Sequence, residues 1–223
     1  MSFEITTEFL EKLTSYIEGS KNKSIIGLFE EMHYADVAEI LDELSFDKVV
    51  YIIKLLDSEK TSAVLMELDE DIREKILQNL SAKEIAEEVD ELDSDDAADI
   101  IGELSEERQE AVMSQIIDEE HVREIEELLA YDENSAGGLM AKELVKVNEN
   151  WTVLKCVREM RAQAEEVTRV HSIYVVDDQD KLVGTLSLKR LLLTETKILI
   201  NEIANYDIVS VIATEDDEEI TKS

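Results

Sequence analysis

HYADVAEILDEL (33–44), SFDKVVYIIKLL (45–56), DSEKTSAVLMEL (57–68) and DEDIREKILQNL (69–80) are successive twelve-residue blocks written in one grammar. Four more follow: SAKEIAEEVDEL (81–92), DSDDAADIIGEL (93–104), SEERQEAVMSQI (105–116) and IDEEHVREIEEL (117–128). Position 12 is Leu44, Leu56, Leu68, Leu80, Leu92, Leu104, Ile116 and Leu128. Position 9 is Leu41, Ile53, Leu65, Leu77, Val89, Ile101 and Met113. Position 8 is mostly Ile or Val, and position 5 is apolar in about half of the blocks. Apolar residues at 5, 8, 9 and 12 have the i, i+3, i+4, i+7 spacing of one helical face.

Position 1 is Ser45, Asp57, Asp69, Ser81, Asp93 and Ser105 in six successive blocks. Such side chains accept hydrogen bonds from the open N–H groups of a first turn and read as N-caps. Acids crowd the turn that follows, where the helix dipole favours them. Each block is therefore one short helix with a tight turn. A helix of about ten residues is marginal alone and gains stability by stacking, so the blocks are expected to wind into a superhelix with an apolar interior.

Working outward, the charge follows the repeat. The 223 residues hold 55 acids and 22 bases, a formal charge of −33. Residues 1–130 carry −26 of it and residues 131–223 carry −7. Such a field repels phosphate backbones and anionic membrane surfaces, so nucleic acid is excluded as a partner. It attracts cations and basic surfaces. The 44% hydrophobic content, regularly placed, argues for a folded chain and against acidic disorder. The single cysteine, Cys156, leaves no internal disulfide and no cysteine-built zinc cluster. No stretch of eighteen apolar residues is present, and the acidic start MSFEITTEFLEKL is not a secretory signal.

After Tyr131 the grammar changes. SAGGLM (135–140) is a turn, and LVKV (144–147) a strand candidate. Thr152 caps a helix expected over Val153–Ala164. HSIYVVD (171–177) and KLVGTLSL (181–188) read as strands around the turn DDQDK, and KRLLL starts a short helix. Strand, helix, strand, strand, helix is a small α/β module. The tail NEIANYDIVSVIATEDDEE parallels GLMAKELVKVNENWTV, as if a second copy begins at Ile200.

The acidic helical repeats, DSDDAAD, the linker AYDENSAGGLM, then WTV, YVVD and LVGTLSL resemble, in that order, the MgtE family of magnesium channels and transporters. The resemblance implies three parts: an acidic α-helical superhelix over 1–130, a linker and first CBS domain over 131–199, and the start of a second CBS domain over 200–223. The fold class is then a mainly α N-terminal superhelical repeat domain followed by a small α/β CBS module. The implied function is cytosolic Mg2+ sensing that closes a pore when intracellular Mg2+ is high. The implied partners are a second copy, through the CBS domains, and a transmembrane pore domain, with the chain on the cytoplasmic side of the membrane. The chain is then a cytosolic piece of a longer protein or a standalone relative.

By the same resemblance the metal ligands are Asp95, Asp96 and Asp99, with the Gly138 carbonyl as a weaker fourth. Mg2+ takes hard oxygen ligands, as do Ca2+ and Mn2+. Asp95 and Asp99, at i and i+4, project from one face and repel until a cation neutralises them. The plainer reading of Asp95 and Asp96 is acids that complement a helix dipole, and of Gly138 a turn needing positive φ. CBS modules also bind adenine nucleotides; here Lys189 and Arg190 could meet phosphates, but Arg190 stands where an aspartate would hold the ribose. A pore-free α-solenoid and CBS scaffold for a basic partner is the other alternative. His33, His121 and His171 are scattered and structural, Cys156 is a core residue, and Trp151 and Met140 anchor the module. No nucleophile–base pair or phosphate loop points to an enzyme.

Overall fold

The computed structural model describes residues 5–132, 134–163 and 172–216. The chain forms two compact units, one of residues 1–92 and 96–123 and the other of residues 93–95 and 124–223.

Each twelve-residue block is one helix. α1 (Thr7–Glu18) and α2 (Asn22–Phe29) precede them. The eight blocks then give α3 (Tyr34–Asp42), α4 (Phe46–Ile53), α5 (Ser58–Glu67), α6 (Glu70–Leu77), α7 (Ala82–Val89), α8 (Ser94–Gly102), α9 (Glu106–Met113) and α10 (Glu119–Leu129). Position 8 is the centre of the apolar face: Ile40, Ile52, Val64, Ile76, Ile100 and Val112 are all 0% exposed. Position 5 tolerates polar side chains only where they are satisfied. Buried Thr61 bonds the Ile53 carbonyl, and buried Arg73 bonds the Leu65 carbonyl and Glu103.

The caps are mixed. Asp57 accepts from the Lys60 N–H at 2.9 Å, and Ser81 forms a reciprocal capping box with Glu84. Ser45, Asp69 and Ser105 occupy N-cap positions with no side-chain bond to the first turn. In the last block the cap is Asp118, at position 2, and Ile117 is left exposed.

α1 packs on its sequence neighbour α2, but the repeat helices stack on the next helix but one. α3 packs on α5, α5 on α7 and α7 on α9. Long polar side chains tie residues 28 to 32 apart. Lys54 Nζ lies 3.1 Å from Glu84, Arg108 donates to the Leu77 and Leu80 carbonyls at 2.9 and 2.8 Å, and the His121 ring meets the Val89 carbonyl at 3.3 Å. Arg108 thus gives the Leu77 carbonyl, which already accepts from the Leu80 N–H, a second donor and bonds the Leu80 carbonyl just beyond α6, where the dipole favours a cation.

The second unit is a three-stranded sheet with helices. β1 (Val145–Asn148) pairs parallel with β2 (Ile173–Val176), and β2 antiparallel with β3 (Leu182–Leu186), in the order β1-β2-β3. α11 (Val153–Gln163) connects β1 to β2, the crossover a parallel pair needs. Its expected last residue, Ala164, lies outside the described residues, as does His171. Thr152 does cap α11, accepting from the Lys155 N–H at 3.3 Å. α12 (Leu188–Leu192) and a 3-10 turn (Ile200–Glu202) follow. The core joins Val145, Val147, Val153, Cys156, Met160, Ile173, Val175, Leu186, Leu191 and Ile200, with Trp151 packed against it. Met140 is half-buried in the linker and is not in that core. Beyond the turn, Asn205 pairs with Thr185, and the linker at 135–137 pairs with 213–216.

Candidate functional site

α8 carries the DSDDAAD run. Its inward face is Ala97, Ala98, Ile100 and Ile101, all buried. That burial forces the carboxylates outward: Asp95 and Asp96 are half-buried and Asp99 is exposed. The three expected ligands therefore emerge from one short helix.

Ser94, the first residue of α8, is fully buried. Its N–H donates to Glu143 Oε1 at 2.8 Å and its hydroxyl to Oε2 at 2.9 Å, while it accepts from the Lys142 N–H at 3.0 Å. A carboxylate set against open first-turn N–H groups is favoured by the helix dipole. Lys142 is anchored in turn, its Nζ 2.7 Å from Glu127 of α10. The carboxylates of Glu143 and Glu124 come within 4.8 Å of one another. Sequence spacing had no means of finding Glu143, which stands 49 residues from the serine it holds.

Asp99 also acts on a neighbouring cation. Arg73 is 7% exposed, and its Nε donates to Glu103 Oε1 at 2.8 Å. Burial disfavours the guanidinium charge, but the Glu103 bond and the fields of Glu103, Glu70 and Asp99 outweigh it, so Arg73 is held more firmly protonated than usual.

Gly138 lies in the linker turn, its N–H bonded to the Ser135 carbonyl at 3.0 Å. The positive φ expected of it is not found: no described glycine has one. The demanding glycine is its neighbour. A Cβ on Gly137 would stand 2.5 Å from the Tyr131 ring and 2.9 Å from the Ala213 carbonyl oxygen.

His33, Cys156 and Trp151 are held in the fold by local contacts. His33 caps α3 through Nδ1, 3.3 Å from the Ala35 N–H. Cys156 is fully buried, and burial pushes its thiol up to about 11. Lys155 Nζ sits 4.2 Å over the Trp151 ring. Lys189 and Arg190 are exposed on α12, whose N-cap is Ser187. Among the described residues no helix is long and apolar enough to cross a membrane.

These features define a class: an acidic helical-repeat unit joined through a glycine linker to a CBS-type α/β module. The family comparison is specific. Residues 32–134 match the MgtE intracellular N domain and residues 136–195 match the CBS domain, the arrangement of the cytosolic region of MgtE magnesium transporters. Curated relatives include the magnesium transporter MgtE of Thermus thermophilus, 38% identical over 41% of this chain, and that of Enterococcus faecalis, 32% identical over 43%. The matched stretches are 20% and 21% of those proteins, so the chain spans only a fraction of their length. The cytosolic domain of the Mg2+ channel MgtE in complex with ATP superposes with a TM-score of 0.86 at 29% identity, covering 96% of this chain and 87% of that one. The soluble part of a magnesium transporter shares the fold, with a TM-score of 0.80 at 24% identity over 96% of this chain and 84% of that one. These relatives are described as magnesium transporters and as the cytosolic domain of a Mg2+ channel.

Proposed function

We propose that this chain is the Mg2+-sensing cytosolic region of a magnesium channel or transporter, and that it favours pore closure when intracellular Mg2+ is high. One observation carries the reading: an acidic helical repeat followed by a CBS module matches the cytosolic domain of a Mg2+ channel over nearly its whole length. The donor set fits the ion. Asp95, Asp96 and Asp99 offer hard carboxylate oxygens at least partly open to solvent, and the Gly138 carbonyl offers a neutral one. A partly hydrated Mg2+ held by few carboxylates is weakly bound, which suits a sensor of an abundant ion. The like charges on α8 repel, and their neutralisation favours whichever arrangement of the chain brings acids together. Ca2+ and Mn2+ belong to the same ligand class.

The partners in this reading are a second copy and a pore domain. Exposed Leu154 on α11 and Leu188, Leu192 and Leu193 at α12 supply an apolar surface for CBS pairing. The test is a Mg2+ titration of a version extended through both CBS domains, followed by small-angle scattering and protease protection. Compaction and protection are expected by tens of millimolar Mg2+, and Asp95→Ala with Asp99→Ala shifts the midpoint upward. An unchanged scattering curve defeats the reading.

A nucleotide reading is the second, because a similar domain is described in complex with ATP. Lys189 and Arg190 are the exposed cations that would meet phosphates. ATP titration by calorimetry, with Lys189→Ala and Arg190→Ala, tests it; heats that the double variant leaves unchanged remove these residues from it.

A further inference from the structure

Position 8 of the repeat is a fully buried Ile or Val in six blocks; in the fifth and eighth it is a half-buried glutamate, Glu88 and Glu124. Glu88 lies half-buried in the last turn of α7, a helix that packs on α5 and α9, and it feels the charge of Asp57 at the head of α5. Its Oε2 is buried and has no hydrogen-bond partner. The charges acting on it are carboxylates: Glu84, Glu87 and Glu91 from its own stretch of chain, and Asp57, the N-cap of α5.

Cations on α7 and on the elements around it are bonded to other groups; on α7 itself Lys83 pairs with Glu87. Lys54, at the end of α4, is bonded to Glu84. On α9, Arg108 is turned onto the Leu77 and Leu80 carbonyls. His121, from α10, meets the Val89 carbonyl. The negative end of the α7 dipole adds to the disfavour of a charge at this site.

We propose that Glu88 is a proton-controlled latch of the helical unit: its carboxyl is held neutral at the α5–α7 seam, and its ionisation loosens that seam. The proton leaves to solvent, and what remains is a charge at a core position among four other carboxylates. Burial first, then Glu87, Asp57, Glu91 and Glu84, push this carboxyl from 4.5 up to about 8. Glu84, one turn earlier in the capping box, goes the other way, down to about 2, chiefly through its bonds to Ser81. The folded unit therefore holds one proton more than the opened unit between pH 4.5 and about 8. Stability falls as pH rises through that window and levels off above it. The proposal does not depend on the magnesium reading.

The test is native-state hydrogen exchange of the full chain from pH 6 to 9 at constant ionic strength, comparing wild type with Glu88→Gln and Glu88→Ile. Corrected for intrinsic rates, α7 protection in wild type is expected to fall by up to about tenfold per pH unit more steeply than in either variant, and to run parallel to them above pH 8. Amides of α11 serve as the reference. Equal slopes in wild type and both variants overturn the latch. A second readout is the 13C titration of the Glu88 carboxyl, assigned by its absence from the Glu88→Gln spectrum. A midpoint near 8 supports the proposal, and one below 6 overturns it even where a variant fails to fold.

Discussion

Gly137 shows how a single residue is decided by space. Its backbone is unstrained, and any residue could adopt it, but the Tyr131 ring and the Ala213 carbonyl occupy the volume a Cβ would need. Gly137→Ala should therefore cost about 1–3 kcal/mol through overpacking. Tyr131→Ala should relieve part of that cost, because one of the two obstacles disappears. Denaturant unfolding followed by the fluorescence of Trp151 reads this module directly. A double-mutant cycle with coupling below about 0.5 kcal/mol would show that the ring is not the obstacle. The sequence marked a turn at these glycines, but not which one is required, since the ring and carbonyl come from other segments.

At the scale of elements, the twelve-residue period translated into one helix per block because each block carries its own apolar face. What the period could not convey is that α3, α5, α7 and α9 stack alternately, since a one-dimensional pattern shows which face is buried and not against what. Arg73 illustrates the difference. Its block places it at an apolar position, and only Glu103, thirty residues on, makes its burial tolerable. Arg73→Ala should cost about 3–5 kcal/mol, because it strands a partly buried carboxylate. Arg73→Met combined with Glu103→Leu should be close to neutral. Helical circular dichroism during guanidinium unfolding separates the outcomes; an Arg73→Ala loss under 1 kcal/mol would mean that Glu103 is rehydrated at little cost.

Across the whole molecule, the charge of −33 sets the largest electrostatic fact. Carboxylates far outnumber the cations that could pair with them, so the folded chain is under self-repulsion. Screening acts over about 10 Å at 0.1 M salt. Raising NaCl from about 0.02 to 0.3 M should lift Tm by about 2–4 °C, the shift that 1 kcal/mol produces in a chain of this size. A Tm that falls would mean that the few ion pairs outweigh the repulsion. Mg2+ at matched ionic strength should exceed NaCl if α8 holds it specifically, and equal it if the acids only attract a diffuse cloud.

The sequence by itself determined the repeat, the helix in each block, the change to an α/β module after Tyr131 and the acidic run on α8. All are local: a period of 3.6, a cap, a turn, a string of like charges. Tertiary structure alone decided that Glu143 holds the head of α8, that Gly137 and not Gly138 is the constrained glycine, and that Glu88 is half-buried within the field of Asp57. Each of these joins segments from 6 to 76 residues apart, through Ser94 with Glu143, Tyr131 and Ala213 with Gly137, and Asp57 with Glu88. Charge and spacing along the chain carry no record of such meetings, because packing decides which distant groups share a place and whether water reaches them.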